Sequence, residues 1–87
     1  MSATIFPTIH TNGTNKFRLL GGYSEARLAI FDAMKKVEAI EFNARDYYSQ
    51  GSDAWIKAVA EYNDRFESLS KIADEIHLIM EKIDAQA

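Results

Sequence analysis

At 87 residues, with 47% hydrophobic and 26% charged positions, four glycines and one proline, the composition is that of an ordinary globular chain and excludes a disordered one. The length leaves room for a single domain, and the lack of cysteine removes disulfides and thiolate zinc sites, which favours a reducing, cytoplasmic setting. A net charge of −3 with acids and bases interleaved gives no basic field for duplex nucleic acid, and neither a signal peptide nor an apolar run of about 18 residues predicts contact with a membrane.

Residues 1–14 hold β-branched side chains, the proline and an Asn12-Gly13 pair, all poor helix formers, and are predicted as an extended N-terminal arm ending in a turn. Thr14 is the candidate N-cap of a first helix over residues 15–41. Along it Leu19, Tyr23, Ala26, Ile30, Ala33, Val37 and Ile40 are spaced alternately four and three residues apart, a heptad seam, with Leu20, Phe31 and Met34 in a second stripe beside it. Gly21-Gly22 interrupts the pattern, which leaves open a kink, a close helix crossing or a start delayed to Ser24.

Residues 42–52 break the periodicity and are predicted as the interhelical loop, with Ser52 as a capping candidate. A second helix follows over residues 53–84, with Asp53 complementing its positive end. Trp55, Ala58, Tyr62, Phe66, Leu69, Ala73, Ile76, Met80 and Ile83 form its seam. The expected fold is all-α, an antiparallel two-helix hairpin with an extended arm. Because each apolar face is wider than one partner helix covers, the hairpin is expected to associate with copies of itself into a helical bundle.

Catalytic chemistry finds little support in the residue types. The chain has no cysteine, no Gly-x-Ser-x-Gly elbow, no phosphate-binding Gly-x-x-x-x-Gly-Lys loop and two histidines. Asp74 and His77 have metal-ligand spacing, yet the seam carries none of the further inward carboxylates a bundle site needs, so neither metal nor cofactor is expected.

Two polar segments remain. In the loop, Asn43, Arg45, Asp46, Tyr47 and Tyr48 stand together: a guanidinium fork suits phosphate and a tyrosine stacks on a base. The same residues suit an Arg45–Asp46 ion pair with both tyrosines plugging the end of the bundle. In the arm, Thr8, His10, Asn12 and Thr14 surround Gly13 and precede Lys16 and Arg18 at a helix N-terminus, a setting for an anion. That segment equally suits a capping turn and an arm exchanged with a neighbouring subunit. In a head-to-tail dimer, the arm of one copy and the loop of another approach each other and complete a shared pocket.

Thr8-Ile9-His10 followed by Asn12-Gly13-Thr14, and Asn43-Ala44-Arg45-Asp46-Tyr47-Tyr48 followed by Gln50-Gly51, resemble the signature of a family of short helical proteins encoded by phages and prophages, mostly of uncharacterised function. This chain departs from it in having Ser49 after the paired tyrosines and Phe42 before the asparagine, where relatives often carry proline. The resemblance implies a phage protein similar in style to counter-defence proteins, which cap a host immune protein or sequester its nucleotide messenger. The expected function is non-enzymatic: a homo-oligomer that binds an anionic small molecule such as a cyclic nucleotide. Arg45 and Lys16 are assigned to phosphate, Tyr47 or Tyr48 to stacking, and Thr8, Asn12, Thr14 and Asn43 to hydrogen bonding. A protein-interaction module that inhibits a host protein, and a virion structural or assembly protein, are the alternatives.

Overall fold

The computed structural model describes residues 4–86. Helix α1 spans Lys16–Glu38, and Asn15 rather than Thr14 caps it, its side-chain oxygen accepting from the amides of Phe17 at 2.8 Å and Arg18 at 3.3 Å. Asparagine is at least as good a cap as threonine, and the extended ψ of 138° at Asn15 points its carboxamide into the first turn. The helix continues unbroken through Gly21 and Gly22 and stops three residues short of the expected Glu41. Past Ala39 the chain turns so that Phe42 stacks on Tyr62 of the second helix, with ring centroids 4.8 Å apart.

Two short 3-10 turns, Ala44–Asp46 and Tyr48–Gln50, fill the connection, and Gly51 at φ 108° makes the final reversal in a backbone region that disfavours any side chain. Helix α2 spans Ala54–Asp84. Asp53 occupies its N-cap position, but neither it nor Ser52 donates or accepts a capping side-chain bond there. No strand occurs among the described residues, so the protein is an all-α antiparallel hairpin.

The pairing register is set by a few cross-helix contacts. Lys16 reaches Asp84, Arg27 reaches Ala73, and Tyr62 reaches Val37, all through main-chain carbonyls, while Leu20 shares a groove with Met80, and Met34 with Phe66. The seam of α2 is the expected one, each member buried or partly buried. The inner face of α1 is different: Lys16, Leu20, Tyr23, Arg27, Ile30, Met34 and Val37 lie toward α2, whereas Ala26 and Ile40 from the expected seam are exposed. Lys16 and Arg27 occupy heptad positions because their stems cover apolar surface while their heads bond to α2 carbonyls.

The arm docks on its own chain. Gln86 accepts from the Ile9 amide at 2.8 Å and donates to the Pro7 carbonyl at 2.9 Å, while Lys16 caps α2 by donating to the carbonyls of Asp84 and Gln86. Lys82 lies 5.8 Å from the Phe6 ring centroid. Replacing Gln86 with alanine removes both anchoring bonds, and hydrogen exchange at the Ile9 amide is expected to accelerate about tenfold while the mid-helix amides of α2 stay protected.

The interior is small. Ala58, Ala73, Ile79 and Ile83 are the buried apolar residues, while Phe17 is 78% and Leu28 64% exposed. The accessible surface is 6864 Å², against roughly 5200 Å² for a compact monomer of this mass. Its radius of gyration of 18.6 Å likewise exceeds the ~12 Å of a compact chain this long. The molecule is a rod of 61 × 27 × 17 Å that leaves both flanks of its helix pair open.

Candidate functional site

The two polar segments lie at opposite ends of this rod. The arm sits beside the start of α1 and the end of α2, the loop joins the other two termini, and the 23 residues of α1 between them span roughly 34 Å. One chain therefore does not bring arm and loop residues into a common pocket.

At the loop end the geometry separates the paired tyrosines. Tyr47 packs against Trp55 at 5.7 Å and edge-on to Phe42 at 5.8 Å, and Phe42 in turn lies 4.7 Å from Trp55. These rings, with Tyr62, cap the hairpin, so Tyr47 is a packing residue. Tyr48 turns outward and is 72% exposed. The backbone positions the segment through successive turns, with the Asp46 amide donating to the Asn43 carbonyl at 3.1 Å and the Tyr47 amide to the Ala44 carbonyl at 2.9 Å. Arg45 and Asp46 are both exposed and do not pair: the ion pairs among the described residues are Arg65–Glu61 and His77–Glu81. The ion-pair reading of the loop is thereby corrected, since the 3-10 turn, rather than an Arg45–Asp46 contact, fixes its shape. Asn43 is partly buried, and its side chain makes no capping bond.

Beside this end a concavity of about 620 Å³ is lined by Tyr47, Gln50, Gly51, Asp53, Lys57 and Glu61. It mixes one cation with two carboxylates. The sequence reading overlooked Lys57, which stands one turn into α2 among solvated charges and carries no signal of its own.

At the arm end, Thr8, Asn12, Thr14 and Arg18 are exposed. His10 folds over the turn: its carbonyl accepts from the Gly13 amide at 3.1 Å, and a Cβ on Gly13 would stand 2.9 Å from His10 Nε2. A side chain on Gly13 would push aside the exposed imidazole above it, so the turn and the histidine are packed together in the His-Thr-Asn-Gly segment. Lys16 is partly buried, with its ammonium committed to the α2 carbonyls, so its expected role toward phosphate gives way to helix capping. Arg18, one turn from the cap and outside every ion pair among the described residues, is the cation that remains available.

Arg27 also went unrecognised. Its Nε donates to the Ala73 carbonyl at 3.1 Å, and its guanidinium lies 4.8 Å from the Phe31 ring centroid. The available signal was its spacing, seven residues from both Leu20 and Met34. Among the described residues no cluster of three or more histidine, aspartate or glutamate side chains has a metal-binding arrangement, and no helix is long and apolar enough to cross a membrane.

Together these features define an all-α helical hairpin with an aromatic-capped loop end and a clasped arm end. No protein-family model, curated protein or solved structure matches the chain.

Proposed function

We propose that the protein is a non-enzymatic binding protein that self-associates and holds an anionic small molecule, such as a cyclic nucleotide, between the loop end of one copy and the arm end of another. The observation that carries this reading is the pairing of exposed Arg45, free of any carboxylate within 4.0 Å among the described residues, with the outward ring of Tyr48 three residues along. A guanidinium fork and a free aromatic face are the two groups a phosphorylated base calls for, one for charge and one for stacking. Exposed Thr8, Asn12, Thr14 and Arg18 offer hydrogen bonds and a second cation from the opposite end. Copies running in opposite directions bring these ends to the same level, and the open flanks of the rod supply surface for such contact. Within this proposal, the phage counter-defence setting of the resembling family gives such a ligand a purpose.

The test is a thermal-shift panel of cyclic di- and trinucleotides. A ligand present at 100 times its dissociation constant is expected to add about 2.7 kcal/mol. Arg45→Ala is expected to weaken that ligand roughly 10- to 100-fold, the worth of a charge-assisted contact, and to leave the ligand-free melting point within about 0.5 kcal/mol of wild type. A panel that moves no melting point sinks the reading.

A second reading draws on a separate observation. Exposed Ile56, Ile72 and Leu78 leave apolar side chains on more than one side of α2, interspersed with charges of both signs, and each is a point at which a host protein can dock. A single stoichiometric host partner retained through purification, with no response to nucleotides, selects this reading over the first.

A further inference from the structure

One flank of α1 repeats a heptad outside the hairpin's own seam. Phe17, Gly21, Ser24, Leu28, Phe31 and Lys35 are spaced alternately four and three residues apart, and the grooves containing Gly21, Leu28 and Phe31 open to solvent beside α2. Phe17, Leu28 and Phe31 are exposed there. Gly21 is unexplained within one chain: apart from its own helix backbone and chain neighbours no atom stands within 4 Å of where its Cβ would be, as is also true of Gly22, its φ is not positive, and it costs the helix about 1 kcal/mol relative to alanine.

We propose that a second copy of this chain packs antiparallel on this flank, with Phe31 of each copy seated over Gly21 of the other. The proposal rests on the self-association in the functional reading and names the face that performs it. The stripe is complementary to itself when reversed. Leu28 falls opposite Ser24, large against small, and Phe31 falls opposite Gly21, whose missing side chain leaves room for the ring. At its ends, Lys35 meets the level of Phe17, where Glu81 and Asp84 border the same flank. Lys35 has no ion-pair partner among the described residues and faces those carboxylates across each symmetric end, with Asp32 and Glu38 beside it in the same groove. The area suffices: the surface of 6864 Å² exceeds that of a compact monomer by roughly 1700 Å², about twice the ~800 Å² that a standard interface takes from each partner.

Sedimentation of the full chain at micromolar concentration is expected to show a dimer or an even multiple of it. Gly21→Leu fills the space assigned to Phe31 of the other copy and is expected to weaken association roughly 10- to 100-fold. The same change raises helix propensity, so unfolding does not explain the loss, and circular dichroism of the variant checks this. Gly22→Leu, on the opposite flank, is expected to sediment as wild type. Because the chain has no cysteine, mixing Ser24→Cys protein with Leu28→Cys protein under oxidation is expected to give the mixed disulfide dimer. A monomeric wild type overturns the proposal, as does Gly21→Leu protein that associates normally or a Gly22→Leu variant that alone dissociates. If the dimer behaves as expected and no cyclic nucleotide binds, the interface stands and the functional reading falls.

Discussion

Phe42→Ala is expected to cost about 3 kcal/mol, lowering the melting point by more than 10 °C for a chain of this size. One side chain joins three others: it stacks on Tyr62 with planes 14° apart, leans on Trp55 at 4.7 Å and receives the edge of Tyr47 at 5.8 Å. Its removal separates the segment leaving α1 from the first turns of α2, so the loss combines a cavity with the entropy of a loosened loop. The near-ultraviolet circular dichroism of Trp55 and its neighbours is expected to fall with it. Tyr48→Ala, next to the cluster's Tyr47 in sequence, is the comparison: at 72% exposure its ring is expected to contribute less than about 0.5 kcal/mol. Equal costs for the two variants contradict the assignment of Tyr47 to packing and Tyr48 to solvent.

That contrast marks where sequence reasoning stops. Adjacent tyrosines in an irregular segment carry no periodicity, so whether Tyr47, Tyr48 or both close the hairpin depends on how two 3-10 turns orient them. The seam of α2 was legible because Trp55 through Ile83 hold one face of a 31-residue helix with no charged member. The face of α1 was legible only in part. Counting apolar residues favours Leu19, Ala26 and Ile40, yet the helix turns Lys16 and Arg27 inward, since long amphipathic stems pack as well as alanine and their donors find carbonyls. A hydrophobic pattern misses those two positions because their usefulness lies in atoms beyond the stem. The arm shows the same limit: Gln86 holds Pro7 and Ile9 from almost 80 residues away, a contact without any local signal. Gly51, by contrast, falls in the loop that the break in periodicity marks, and its φ of 108° there calls for glycine.

Ile83→Ala is expected to be the most damaging single truncation, at about 3–4 kcal/mol. Ile83 is 0% exposed, and it sits where the arm, the start of α1 and the last turn of α2 converge. A chain of this length has a total stability of roughly 4–13 kcal/mol, so the change takes a large fraction of it. The damage should not stop at global stability. Lys16 bonds to the carbonyls of Asp84 and Gln86, within three positions of Ile83, and Gln86 itself holds the arm through Pro7 and Ile9, so a cavity beneath the final turn loosens the carbonyls that Lys16 caps. Limited proteolysis is therefore expected to cut the arm of the variant well before the helices, whereas Gln86→Ala frees the arm with little change in melting point. If copies associate through the flank of α1, the variant's melting point rises with protein concentration, because mass action returns part of the lost stability. A melting point independent of concentration in both wild type and variant leaves the single hairpin to supply all the stability from an interior with four buried apolar side chains among the described residues, too small to sustain a loss of this size and remain folded at room temperature.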